Sequence, residues 1–211
     1  MEKRCVIIGA SPEIKAETLI SYIESDDFVV CADGGYTYAL QAGISPGLII
    51  GDFDSSPVPE NPDCEVITLP THKDDTDTMY CIKECIRRGY REYLLLGAAG
   101  GRADHTFANY SSLMYLEQND CHGTIVSDTD RIYMIHNRAL ELREKDGCAF
   151  SVFAFGCESC IVTLSGFEYN GDRLTLEAGF PLGVSNRIVS EEAELTVHSG
   201  TAIVYVGLTK Q

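Results

Sequence analysis

Positive charge is scarce in this sequence. Its 16 Lys+Arg stand against 32 Asp+Glu, a formal net charge of −16. A nucleic-acid partner needs basic surface to displace counterions from phosphates, and anionic lipid needs it too, so the composition argues against both. Long apolar runs are also missing. No stretch approaches the ~18 apolar residues of a membrane span. The start, Met1 to Gly9, holds one apolar run of four residues, Cys5-Val6-Ile7-Ile8, too short for a signal-peptide core, so a cytoplasmic location is expected. The G-x-x-x-x-G-K-[ST] phosphate loop and the protein-kinase catalytic signatures are absent, which excludes those two ways of handling ATP. Among nine cysteines there is one C-x-x-C, Cys157-Glu158-Ser159-Cys160, with no second pair and no H-x₃₋₅-H partner. That excludes an ordinary four-ligand zinc site. Cys5, Cys31 and Cys148 sit inside apolar runs and read as small buried hydrophobes, so reduced structural thiols are expected.

What is present is an ordinary globular composition, 45% hydrophobic and 23% charged over 211 residues. A chain of this length holds a full core in one or two domains. Its two halves have different rhythms. Up to about residue 128, short apolar runs alternate with helical patterns. Strands are predicted at Arg4–Gly9, Phe28–Ala32, Leu48–Ile50, Glu65–Leu69, Glu92–Leu96 and Thr124–Ser127. Helices are predicted at Glu13–Glu24, Tyr36–Ala42, Thr76–Arg88 and His105–Gln118. Strands alternating with helices imply a mostly parallel sheet. From about Arg131 the runs become short and β-like, separated by turn signals such as Lys145-Asp146-Gly147, Asn170-Gly171 and Ser199-Gly200. The fold class read from this is α/β, with an N-terminal mostly parallel α/β nucleotide-binding domain (1–128) and a C-terminal all-β sandwich (129–211).

In parallel α/β sheets ligands bind beyond the carboxyl ends of the strands. Here those ends run into Asp33-Gly34-Gly35, into Gly51-Asp52-Phe53-Asp54-Ser55, and into a Gly97–Gly101 run followed by Arg102, Asp104 and His105. A further turn, Lys73-Asp74-Asp75-Thr76-Asp77, opens a helix. Each piece has a plain structural reading. Asp33-Gly34 makes a turn, Asp74, Asp75 and Asp77 favour a helix N-terminus, and a glycine run can simply be a loop. In extended backbone Asp52 and Asp54 would face the same way, and two like charges that close are costly without a cation between them. Taken together on one sheet edge, the turns supply carboxylates for Mg²⁺, backbone N–H groups for an anion, and Lys73 and Arg102 as fixed positive charge. That combination predicts nucleotide phosphoryl or pyrophosphoryl transfer.

These segments, in this order, resemble the thiamine pyrophosphokinase (thiamin diphosphokinase) family, and Gly183-Val184-Ser185-Asn186 resembles that family's thiamine-contacting turn. The resemblance implies transfer of a pyrophosphoryl group from ATP to thiamine, giving thiamine diphosphate and AMP. It implies Mg²⁺ held by Asp52, Asp54, Asp74 and Asp77, with Asp77 supporting the metal or orienting the attacking hydroxyl. Lys73, Arg102 and the Gly100-Gly101 backbone would neutralise phosphates. Asp33, Gly34, Gly35, Asp104 and His105 would line the ATP side, and Ser185 and Asn186 would bind the aminopyrimidine. It also implies a homodimer with the active site at the subunit interface. The chain has no Trp, on which some members stack thiamine, so Phe180 or Tyr169 would serve or that contact is missing. Arg187 stands where relatives often carry Glu, and is expected to point away or to contact phosphate. Two other readings share the same turns: a different Mg²⁺-dependent phosphotransferase or phosphohydrolase, and a non-catalytic thiamine or nucleotide sensor.

Overall fold

The structure, a computed structural model, describes residues 3–54 and 63–210. Ser55 of the Gly51–Ser55 turn lies outside them. The chain divides into two compact units, Met1–Asp128 and Thr129–Gln211.

The first unit alternates strands β1 Arg4–Ile8, β2 Phe28–Ala32, β3 Leu48–Gly51, β4 Glu65–Thr68, β5 Glu92–Leu96 and β6 His122–Val126 with helices α1 Ala16–Tyr22, α2 Gly35–Gln41, α3 Asp77–Arg87 and α4 Ala103–Gln118. All six strands are parallel, in the order β6-β5-β1-β2-β3-β4. Covering by helices on both faces explains the unbroken apolar runs: after one half-buried residue each, β1, β2 and β5 are wholly buried. Right-handed crossovers place the helices between β1, β2 and β3 on one face and those between β4, β5 and β6 on the other. The packing agrees, since α1 meets α2 and α3 meets α4.

Helix α1 starts at Ala16 rather than Glu13, because Pro12 and Glu13 form a turn closed by Ile14 N donating to Ser11 O, and Lys15 is still extended. Helix α3 begins where Thr76 Oγ1 accepts from Met79 N at 3.2 Å, an N-cap, and ends at Gly89 with φ +95°. Its buried side, Cys81, Ile82 and Cys85, faces the sheet, where a hydrogen bond to Cys85 and burial push the Cys5 thiol far above its ordinary range.

The second unit contains β7 Asp130–His136, β8 Ala139–Arg143, β9 Cys148–Ala154, β10 Ser159–Ser165, β11 Gly171–Glu177, β12 Asn186–Arg187, β13 Glu192–Ser199 and β14 Thr201–Lys210. Two antiparallel sets form, β12-β9-β14-β7 and β11-β10-β13-β8. Alternating burial along β9, β10 and β13 marks sheets wet on one side. Side chains of both sets share one buried core, in which Phe150 and Phe167 lie 4.3 Å apart between ring centroids. All nine cysteines are free. In the C-x-x-C, Cys157 Sγ donates to Thr201 O, and burial pushes the Cys160 thiol up to about 11. The pair is structural.

Candidate active site

The sheet order puts β1 beside β5, and from β1 the chain winds outward in both directions. The crevice of a doubly wound sheet opens at such a switch point. Here the loops after β1 and β5 pass so closely that a Cβ on Gly9 would lie 2.6 Å from Gly97 O, and one on Gly97 would lie 2.6 Å from Gly9 O. Gly9 N donates to Leu96 O at 2.8 Å and Ser11 N to Gly97 O at 3.0 Å. Beside this seam lies a cavity of about 710 Å³, reaching from Ser11, Pro12 and Gly101 to Tyr38 and Gln41. A second cavity of about 280 Å³ includes Lys73 and Asp77, and both are bordered by Asp33, His105 and Asn109.

The chemistry concentrates where the cavities meet. Lys73 Nζ donates to Asp52 Oδ2 at 2.5 Å and lies 3.1 Å from Asp77 Oδ1, with the Lys73 side chain only 8% exposed. The lysine holds the Asp52 carboxyl below its ordinary value. Burial pushes Asp77 up, more than Lys73 offsets. Burial alone would lower Lys73, but Asp52 and Asp77 together raise it. Asp33 adjoins, with φ +43° and its N donating to Ile50 O at 2.7 Å. Gly51 permits this, since a Cβ there would lie 2.8 Å from Asp33 Cα. Asp33 Oδ1 is buried without a hydrogen-bond partner, and Asp77 Oδ1 meets the Lys73 ammonium at 3.1 Å. Two carboxylates thus flank one ammonium, and a third, Asp33, borders the same cavity. Oxygen-only ligands with uncompensated negative charge fit a hard divalent cation. The fit is one of donor chemistry and not of spacing: among the described residues no group of three or more His, Cys, Asp or Glu is arranged to hold a metal ion.

Several sequence-predicted residues stand elsewhere. Phe53 has φ +56°, so the Asp52–Asp54 segment is not extended and the two side chains do not share a face. Asp54 is exposed, with its N donating to Asp52 Oδ1 at 3.3 Å. Asp74 is exposed, while Asp75 borders the smaller cavity and pairs with Lys83 at 2.6 Å. Gly34 lines the larger cavity, whereas Gly35 is buried against Ile8. The Gly100 and Gly101 N–H groups are not free for an anion: Gly100 N donates to Thr106 Oγ1 at 3.1 Å and Gly101 N to Glu13 Oε1 at 3.0 Å. Arg102 lines the larger cavity and forks onto Asp104 at 3.1 and 2.7 Å. That pairing holds Asp104 at about 2.

In the second unit, Ser185 has φ +60° and its N donates to Ser151 Oγ. Asn186 is buried and its carboxamide already serves the backbone. Its Oδ1 accepts from Tyr169 N at 3.0 Å and Arg187 N at 2.8 Å, and its Nδ2 donates to Tyr169 O at 2.8 Å. Arg187 lies 3.6 Å from Glu168.

Sequence reasoning missed Gly9, Ser11, Thr78 and Asn109 as site residues. Asn109 is 9% exposed and its Nδ2 donates to Ala98 O at 2.7 Å. The available signal was its place four residues after His105, on the same helical face.

A switch-point cleft bordered by a glycine-rich turn, with an acid–lysine cluster in the cavity beside it, defines a doubly wound α/β protein with its candidate site at the strand ends. Residues 19–125 match the family description "Thiamin pyrophosphokinase, catalytic domain", and residues 137–204 match "Thiamin pyrophosphokinase, vitamin B1 binding domain". The chain belongs to the thiamin pyrophosphokinase family. It is 23% identical over 204 residues to the thiamine pyrophosphokinase of Bacillus subtilis (strain 168), covering 94% of this chain and 95% of that one. It is 26% identical over 200 residues to thiamine pyrophosphokinase 1 of Oryza sativa subsp. japonica, covering 81% of this chain and 75% of that one. The solved structure of the Bacillus subtilis protein shares the fold with a TM-score of 0.86, covering 98% of this chain and 100% of that one at 23% identity. The thiamin pyrophosphokinase of Geobacillus thermodenitrificans gives 0.84, with 98% of each chain covered at 25% identity.

Proposed function

We propose that this protein transfers a pyrophosphoryl group from ATP to the hydroxyethyl oxygen of thiamine, giving thiamine diphosphate and AMP. The observation that carries this reading is Lys73 buried between Asp52 and Asp77 beside the donor-less oxygen of Asp33. The new bond joins the thiamine oxygen to Pβ, and the bond from Pβ to the α,β-bridging oxygen breaks, leaving AMP. Asp77 is the residue best placed to orient the attacking hydroxyl, because it borders the smaller cavity with its carboxylate fixed by Lys73. Lys73 neutralises the transferring group, and Arg102 meets the phosphates at the lip of the larger cavity. Asp33, Gly34 and His105 line the ATP side, and Asp104 holds Arg102 there.

Mg²⁺ would be held by Asp52 and Asp77, with Asp54 and Asp74 completing the set from their exposed turns. When bound it supplies charge neutralisation for the phosphate oxygens. The first unit thus serves ATP and catalysis. The second serves thiamine, through the Ser185–Asn186 turn and the exposed ring of Tyr169, which Asn186 holds by both backbone groups.

The protein acts as a homodimer, with thiamine between one subunit's first unit and the other's second unit. The exposed apolar residues Tyr169, Phe180, Leu182, Val184 and Val189 of the second unit support such a contact. Nine free thiols suit the reducing cytoplasm.

The test is incubation with ATP, Mg²⁺ and thiamine. AMP and thiamine diphosphate in equal amounts support the proposal; ADP, or nucleotide turnover indifferent to thiamine, would replace it with another phosphotransferase or a phosphohydrolase.

A further inference from the structure

We propose that Glu13 is a positioning residue that braces the Gly97–Gly101 loop and thereby sets Arg102 at the lip of the nucleotide cleft. Glu13 is exposed in the turn after β1, outside every segment that the motifs singled out. Its carboxylate reaches across to the loop after β5. Oε1 accepts from Gly101 N at 3.0 Å, and a Cβ on Gly100 would lie 2.2 Å from Oε2. The carboxylate therefore rests flat on two consecutive glycines, whose φ values are +92° and +65°. At Gly100 a side chain would take the place of the carboxylate, and φ +92° strains any residue but glycine.

The cost of the arrangement is entropic, because such a loop has many alternatives when untied. Two neutral bonds join Gly100 to Thr106, and Ser11 N ties Gly97 O. Glu13 adds a tie from the loop across the seam, through an acceptor oxygen that a carboxamide also supplies. It acts from outside the cleft: Pro12, Gly100, Gly101 and Arg102 line the larger cavity and Glu13 does not. The residue after the braced glycine is Arg102, the N-cap of α4, whose guanidinium is the cation at the lip. An acceptor at position 13 therefore fixes the backbone from which that cation is aimed.

The role in ATP binding rests on the function proposed above; the brace itself does not. The test pairs amide hydrogen exchange over residues 97–104 with steady-state kinetics for Glu13→Ala and Glu13→Gln. Gln keeps an acceptor and removes the charge. In Glu13→Ala, exchange quickens about fivefold to tenfold, and KM for ATP rises by a similar factor with kcat within about twofold. In Glu13→Gln, exchange stays within about twofold of the parent and KM does not rise. Unchanged exchange in Glu13→Ala, a KM at or below the parent's, or a Glu13→Gln variant as loose as Glu13→Ala would overturn the proposal. A parent protein that releases no AMP, with the loop still loosened in Glu13→Ala, would support the brace and defeat the functional reading instead.

Discussion

Gly35 illustrates how single positions hold the cleft open. A Cβ there would lie 2.1 Å from Ile8 O, a backbone atom in the middle of the sheet that cannot yield cheaply. Gly35→Ala is expected to lower stability by about 2 kcal/mol or more, measured by urea unfolding; an unchanged midpoint would show that β1 shifts freely. Asp52 makes the opposite kind of case, because its value is chemical. Asp52→Asn keeps the shape and removes one charge facing Lys73, so turnover should fall by at least about a hundredfold while the circular dichroism spectrum is unchanged. Full activity in that variant would remove Asp52 from the site. Residue types were the most legible level of the sequence. Asp33, Asp52, Lys73 and Asp77 were all singled out, and they lie together. The shared face of Asp52 and Asp54 was misread because nothing in Gly-Asp-Phe-Asp announces a left-handed Phe53, a conformation that a bulky residue adopts only when its surroundings impose it. The glycine amides were misread because their partners lie outside the run: Thr106 for Gly100, and for Gly101 the carboxylate of Glu13, 88 residues away in the chain.

Among the elements, α3 carries the most local information. Its acidic first turn and its C-terminal glycine were written in the sequence, whereas Thr76, read as its first residue, is its N-cap; Thr76→Ala should cost about 1 kcal/mol in thermal unfolding. Its far end gives a pH signature. Arg87, assisted by Arg88, holds Glu84 at about 2, below the ordinary 4.5. A depressed carboxyl stabilises the fold above its unfolded value, and that contribution fades as the pH falls toward the folded one. Much of the pair is solvent-exposed, so the effect is about 1 kcal/mol. Parent and Glu84→Gln should therefore differ by that amount near neutral pH and converge between about 4.5 and 2; a gap that persists at pH 2 would contradict the assignment. Strand cores were legible because apolar runs mark buried sheet. Strand ends were not: β10, β11 and β13 extend into polar residues whose backbone pairs regardless of side chain.

At the scale of the molecule, the charge of −16 separates into two populations. Glu141, Glu144, Glu191, Glu192 and Glu194 are exposed and keep the surface solvated. Asp52 and Asp77 flank Lys73 with Asp33 on the same cavity, three carboxylates to one ammonium. Sheet order was the least legible feature, since no local pattern says that β1 lies between β2 and β5. Knowing that order is what identifies Gly9 and Ser11 as cleft residues. The proposed homodimer predicts a particle of about 46 kDa by light scattering, twice the 23.1 kDa chain. Replacing Phe180 and Leu182 by Asp should return it to a single chain and abolish thiamine-dependent turnover, whereas a dimer unaffected by those changes would place the contact elsewhere.

The central claim is that a pyrophosphoryl unit moves as one piece. ATP labelled with ³²P at either the β or the γ position, supplied with Mg²⁺ and thiamine, tests it directly. The account predicts that both labels appear in thiamine diphosphate and that the AMP released carries neither. A β label that stays with the adenine nucleotide as ADP, or labels released as free phosphate whether or not thiamine is present, would contradict it.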